Sequence, residues 1–242
     1  MSKPIYKRAL LKLSGEALMG EQDYGIDPAI INRVASEIKD VASMGVEIGV
    51  VIGGGNIFRG AGLAQGGMDR VTGDHMGMLA TVMNSLAMSD ALKKIGVKVV
   101  VMSALEMNQV CEPCVHKDAM EYLASGTVVI FAAGTGNPYF TTDSAGSLRA
   151  IEIGADVLMK ATKVDGVYDS DPVKNPDAKK FETLTYDEVI SKKLQVMDLT
   201  SVVMCQEQKM PLRIFNLNTA GELPRAVTDS SIGTSVVLGE SK

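Results

Sequence analysis

The chain has 242 residues, 46% of them hydrophobic and 22% charged, with a net charge of −5. That composition describes one large or two closely packed globular units with a substantial core, and excludes a disordered chain. The acidic balance argues against a polyanion-binding surface, and an aromatic content of 5% without Trp argues against stacking platforms for nucleic acid.

Three cysteines, Cys111, Cys114 and Cys205, are an odd and sparse set that fits a reducing compartment. Lys3, Lys7 and Arg8 precede an apolar run, Ala9 to Leu11, that Lys12 breaks before it could serve as a signal sequence. No stretch approaches the roughly 18 apolar residues of a membrane span. The expectation is a soluble, cytoplasmic protein with no membrane or nucleic-acid partner.

In chain order, residues 8–14 (RALLKLS) read as a first strand ending at Ser14 and Gly15. Lys12 interrupts its apolar run. A lysine there either meets a bound phosphate or, on an edge strand, snorkels to solvent. After a Gly-bounded loop over 20–25, Asp27 and Pro28 open a helix with the stripe Ile30, Ile31, Val34, Ala35, Ile38 and Val41, and Gly45 lies just beyond its end. A strand over 46–52 then runs into Gly53, Gly54 and Gly55, followed by Asn56, Phe58 and Arg59. Glycines at the end of a buried strand let backbone N–H groups approach an anion, and Arg59 adds a planar cationic fork. A Gly-rich turn with one surface Arg is the plain alternative.

The spacing predicts a helix over about 70–95, closed by Gly96, with Leu79, Val82, Met83, Leu86 and Leu92 on one face as core or subunit interface. Asp74 and His75 near its start are either ligands for ribose hydroxyls or a phosphate, or a local cap and a surface side chain. Residues 97–102 form a third strand. The CEPCVH segment, with Cys111, Cys114 and His116, falls short of a four-ligand zinc set, and no metal site is expected. Strand 127–132 leads into a loop crowded with Gly134, Thr135, Gly136, Asn137, Thr141, Thr142 and Asp143, at the start of a helix over about 143–154.

Strand 156–161 brings a second cation to its end, Lys160. Asp165-Gly166 predicts a tight hairpin ended by Asp171-Pro172, with Tyr168 as an adenine flank or an ordinary hairpin aromatic. Thr185 and Glu188 have capping-box spacing, Asp198 opens a further helix, and 212–216 and 234–238 read as closing strands. No repeat or linker divides the chain.

Four strand-end loops thus share one chemical theme, and ligands of open α/β sheets lie beyond the carboxyl ends of strands. Lys12, Lys160 and Arg59 with glycine amides exceed what one carboxylate needs, which implies two phosphate-bearing ligands and phosphoryl transfer. Neither a P-loop nor a G-x-G-x-x-G motif is present. His75 and His116 are the only histidines, so a general base is not evident. An acceptor that is itself an ionised phosphate needs none, and catalysis reduces to alignment and charge neutralisation.

The segments KLSGEAL (12–18), GGGNIFRGAG (53–62), GDHMGMLATVMN (73–84), GTGNPYFTTDSAG (134–146), KATKVDGVYDSDP (160–172) and VMDLTS (196–201) resemble the bacterial uridylate (UMP) kinases, in order and from about residue 5 to the C-terminus. That family has the amino acid kinase fold. The resemblance implies a single domain over 1–242, an αβα sandwich with a largely parallel central sheet, assembled as a homohexamer. It implies ATP-dependent phosphorylation of UMP to UDP, with Mg2+ bound mainly through nucleotide phosphates. By position, Lys12, Leu13, Ser14, Gly15, Gly55 and Arg59 would meet ATP phosphates, and Thr162, Tyr168 and Asp171 its nucleoside. UMP would fall to Gly54, Asp74 and the loop Thr135, Gly136, Asn137, Pro138, Tyr139, Phe140, Thr141 and Thr142. Lys12 and Lys160 would stabilise the transferring group, with Asp198 orienting them.

The part before about residue 150 would thus serve mainly UMP, and the part after it mainly the ATP nucleoside. The resemblance also implies UTP inhibition and a GTP effect. Where some relatives carry arginines and a tryptophan for the effector, this chain has Ser89, Lys93, Val100 and His116, a departure that weighs against the GTP response. A kinase of the same fold acting on a carboxylate would want a cation in its acceptor pocket, whereas GTGNPYFTT offers neutral groups.

Overall fold

The computed structural model describes residues 3–58, 67–172 and 174–239. Nine of the described strands form one sheet in the order β4-β3-β5-β2-β1-β6-β10-β11-β9. They are β1 (Arg8–Leu13), β2 (Glu47–Ile52), β3 (Val99–Ser103), β4 (Glu112–Pro113), β5 (Val128–Ala132), β6 (Val157–Thr162), β9 (Thr183–Thr185), β10 (Leu212–Asn216) and β11 (Thr234–Val237). Neighbours run parallel throughout except β10 with β11. A separate antiparallel pair joins β7 (Val167–Tyr168) to β8 (Lys180–Phe181).

Central strands buried on both faces explain the unbroken apolar runs in the sequence. From β1 and β5, Ala9, Leu11, Leu13, Val128 and Ile130 enter one core with α1 (Pro28–Ser43), α2 (Arg70–Lys94) and α7 (Glu222–Ala226). Their alternates Leu10, Val129 and Phe131 enter the other, with α3 (His116–Ala124), α4 (Thr142–Glu152), α5 (Tyr186–Ser191) and α6 (Leu199–Glu207). The result is the expected three-layer αβα sandwich. Residues before about 150 build the β4-to-β1 half of the sheet and later ones the β6-to-β9 half, so the halves meet where β1 pairs with β6.

Local signals act as read at several ends. The Asp27 carboxylate accepts from Ala29 N at 2.7 Å, and Thr185 and Glu188 form a reciprocal capping box. Two expectations need correction. The Asp165-Gly166 step does not make a two-residue hairpin, because β7 pairs with β8 across residues 169–179 and Asp165 is instead held by Tyr168 and Lys180. The apolar residues of α2 do not share one face: Met78, Val82, Met88 and Leu92 are buried, whereas Leu79 and Met83 are 50% and 55% exposed. One sheet and α1 cover only one side of α2, and its apolar sequence wraps further round than that contact reaches.

Candidate functional site

Because the parallel strands share a direction, the loops after β1, β2, β5 and β6 open at one edge of the sheet. Lys12 and Lys160 are directly opposed in the β1–β6 register. Both follow residues of the α4 side, Leu10 and Leu158, by two positions, so they share that face. Two ammonium groups side by side, with side chains 11% and 15% exposed, repel unless an anion joins them. Asp143, in the first turn of α4, is that anion. Its Oδ1 lies 2.7 Å from Lys12 Nζ and its Oδ2 accepts from Lys160 Nζ at 2.8 Å. Lys160 also donates to the Val196 carbonyl at 2.6 Å.

Burial raises the Asp143 pKa, but the two lysines outweigh it and hold the carboxyl below its usual range. Burial, partly offset by Asp143, lowers the Lys160 ammonium below the ordinary lysine value.

Asp198 stands one step behind this cluster. It caps α6 through Ser201 N at 2.9 Å and accepts from Ser201 Oγ at 2.6 Å. It also accepts from Thr141 Oγ1 at 2.5 Å and Ser144 Oγ at 3.2 Å. Thr141 in turn caps α4, receiving Asp143 N at 3.0 Å. Asp198 therefore reaches the lysines through the start of α4, and Asp143 is their direct partner. The signal that could have found Asp143 is charge balance: two buried cations on adjacent strands require a nearby acid, and TTDSAG supplies one.

The glycine loop is positioned from below. Asn84 of α2, fully buried, donates to the Gly53 carbonyl at 2.6 Å and to Asn56 Oδ1 at 2.7 Å, while Asn56 Nδ2 reaches the Gly25 carbonyl at 2.9 Å. A Cβ on Gly15 would lie 2.4 Å from the Gly53 carbonyl oxygen, and one on Gly54 2.8 Å from Ala80 Cβ. Both glycines are thus needed for close packing of loop on loop and loop on helix. Gly55 meets only ordinary contact distances. Arg59 lies outside the described residues.

Gly54, Gly55, Asp74, Thr135, Asn137, Phe140, Thr141 and Thr142 line one cavity of about 390 Å³, together with Arg70. Asp74 accepts from Tyr139 N at 2.7 Å and from Arg70 Nε at 2.8 Å. Thr135 and Asn137 are tied to each other in a tight turn. Gly136 and Tyr139 both have φ above +70°, with Pro138 between the turn and Tyr139. Arg70, Asn84 and Asp143 are the site residues that sequence reasoning missed in these roles.

Leu13 and Ser14 lead from β1 into a 3-10 turn at Gly15–Leu18, and the Leu13 carbonyl accepts from Gly53 N at 2.9 Å. At the end of β6, Thr162 Oγ1 donates to the Val164 carbonyl at 2.6 Å. The Tyr168 hydroxyl donates to Asp165 at 2.5 Å, and the Asp171 carbonyl accepts from Lys174 N at 3.1 Å and Asn175 N at 2.8 Å. A second cleft of about 600 Å³ adjoins Lys160 and Asp143, walled by Ile190, Leu194, Val196, Met197 and Leu199. His75 and His116 are exposed. Cys111 packs in the core on the α1 side of the sheet and Cys114 against the core on the other, and burial raises both thiol pKa values.

Residues 7–216 match the model of the amino acid kinase family. The uridylate kinase of Methylococcus capsulatus is 61% identical over 239 residues, spanning 99% of this chain and 100% of that protein. That of Pseudomonas aeruginosa is 60% identical, spanning 98% and 97%. Among solved structures, a UMP kinase from Bacillus anthracis superposes with a TM-score of 0.93 at 37% identity, covering 96% of each chain. One from Ureaplasma parvum gives 0.89 at 33% identity, covering 97% and 99%.

Proposed function

The chain belongs to the amino acid kinase family and catalyses ATP-dependent phosphorylation of UMP to UDP in pyrimidine nucleotide biosynthesis, and from that premise we propose how its residues divide the chemistry. The observation that carries the reading is the pair Lys12 and Lys160, in register at the seam between the sheet's halves and bridged by Asp143. UMP lies on the N-terminal side, in the cavity of Gly54, Asp74 and loop 135–142. ATP phosphates lie over Lys12 to Gly15 and Gly55. The ATP nucleoside lies on the β6 side, toward Thr162, Tyr168, Asp171 and the cleft beside Lys160.

In this arrangement an oxygen of the UMP phosphate attacks the γ-phosphorus of ATP in line. The new P–O bond forms as the bond to the bridging oxygen breaks, and ADP leaves with that electron pair. The attacking oxygen is already ionised, so no side chain takes a proton. Lys12 and Lys160 neutralise charge spreading over the transferred group, and Asp143 keeps them together until substrate phosphates compete for them.

Among the described residues no group of three or more His, Cys, Asp or Glu side chains converges as a metal site. Asp143 and Asp198, nearest the lysines, are already engaged. Mg2+ would accordingly be held mainly by the phosphates of the nucleotide, where it would supply charge neutralisation.

Asp74→Asn is expected to raise KM for UMP by about tenfold or more, since bonds to a charged group contribute about 1.5–3 kcal/mol, while KM for ATP changes little. Steady-state kinetics with each nucleotide varied would show it; the reverse pattern would mean the pockets are exchanged.

No described helix is long and apolar enough to cross a membrane, and a cytoplasmic location suits the cysteine usage. Met76, Leu79, Met83 and Leu86 leave an exposed apolar stripe along α2. A stripe of that kind is buried by self-association, and homohexamer assembly through it fits the chain. Leu79→Glu with Met83→Glu is expected to give smaller particles by light scattering, and an unchanged mass would exclude this face.

UTP, sharing the uridine of UMP, inhibits by occupying the same pocket. The cleft containing Ser89, Lys93 and Val100, about 350 Å³, lines up one cation, Lys93, against one carboxylate, Glu112. That is poor provision for a triphosphate and weighs against a GTP response through this cleft.

A further inference from the structure

We propose that Arg70 is a positioning residue for the acceptor nucleotide, acting as a latch that fastens the start of α2 to loop 133–142 through Asp74 and Tyr139. The proposal rests on the placement of UMP in the Asp74 cavity.

Arg70 Nε lies 2.9 Å from Asp74 Oδ1 and 2.8 Å from Oδ2, one helical turn away on α2. Asp74 Oδ2 also accepts from the Tyr139 backbone N–H at 2.7 Å, across 65 residues of sequence. The Arg70 guanidinium stands 5.5 Å from the centre of the Tyr139 ring. One side chain therefore grips both partners of the hydrogen bond that joins Asp74 to that loop, by charge at one end and by its cationic face at the other.

Two features make such a latch necessary. Tyr139 has φ of +72°, a left-handed conformation that costs a residue with a side chain energy, and its ring is largely exposed, so core packing does not hold it there. A carboxylate has about four acceptor positions, and two donors act on Asp74: the single Arg70 Nε–H, shared between both oxygens, and Tyr139 N. What remains is room for donors from the ligand, and a carboxylate cannot itself bond an ionised phosphate favourably. The ligand group it fits is a sugar hydroxyl. Arg70 thus decides which edge of Asp74 is left for the ribose and keeps loop 133–142 closed over it.

The Arg70 side chain is 56% exposed, so the pair contributes little to folding and its removal leaves a folded enzyme. Arg70→Ala is expected to raise KM for UMP roughly five- to tenfold, with kcat at saturating UMP and KM for ATP within about twofold of the parent. Because Arg70 works through Asp74, adding Arg70→Ala to Asp74→Asn should produce little further loss, a non-additive cycle that a merely structural role would not give. Arg70→Lys should recover part of the UMP affinity.

An unchanged KM for UMP in Arg70→Ala, with Asp74→Asn strongly impaired, would overturn the latch and leave the pocket assignment standing. Unchanged values in both would overturn the pocket assignment itself. Additive losses in the double variant would assign Arg70 an independent contact and contradict the positioning role.

Discussion

Lys12→Ala is expected to lower kcat by roughly 10²–10³-fold, the scale for removing one preorganised group aimed at developing charge. Its ammonium is buried at the carboxyl end of β1, level with Lys160 on the neighbouring strand. No other described cation is placed at that level of β1, and the alanine variant leaves Asp143 paired with Lys160. Thermal unfolding and UMP affinity should therefore stay near those of the parent while turnover collapses. Single-turnover measurements at saturating nucleotides would separate the chemical step from product release. A near-normal chemical rate would remove Lys12 from the mechanism.

Asp143→Asn should damage both turnover and stability, for one electrostatic reason. Two lysines held side by side lose the carboxylate that touches both. Breaking a buried ionic cluster of this kind costs about 3–5 kcal/mol, which for a chain this long lowers Tm by roughly 6–20 °C. Turnover should fall about 10²-fold, because the lysines are no longer held at the seam.

The pH profile gives a separate check. Asp143 raises the Lys160 pKa, so its removal lets burial depress that pKa further. The alkaline limb of kcat/KM, which reports the free enzyme, should move to lower pH in the variant. ATP should also stabilise the variant by more than it stabilises the parent, since its phosphates replace the missing counter-charge. An alkaline limb that stays in place would mean that Lys160 does not govern it.

Much of the fold was legible because its signals are local. Asp27 with Pro28, Thr185 with Glu188, and the two-sided apolar runs at 9–13, 48–52 and 128–132 each fix an element by short-range chemistry. The Asp165-Gly166 turn misled because a dipeptide preference yields to the pairing of Val167 with Phe181, which is decided 14 residues later. The apolar positions of α2 divide between two faces, and periodicity does not say which of them the sheet covers, as it does Val82 and Leu92 but not Leu79 and Met83.

The same division holds at the site. Lys12 and Lys160 stand out as charges within apolar strands, and Gly53 to Gly55 as a cluster. The partners Asp143, Asn84 and Arg70 are ordinary helix residues until the fold brings them to the lysines, the glycine loop and Tyr139. Nothing in their spacing announces a contact across 131 residues, as between Lys12 and Asp143.

Donor and acceptor phosphates are expected to meet at the β1–β6 seam. A crystal structure with UMP and a non-hydrolysable ATP analogue bound together tests this most directly. The expected result places Lys12 Nζ and Lys160 Nζ within about 3 Å of oxygens on the terminal phosphate, with a UMP oxygen facing that phosphorus in line. Nucleotides bound at separate edges, or lysines still closed on Asp143 with no phosphate beside them, would contradict it.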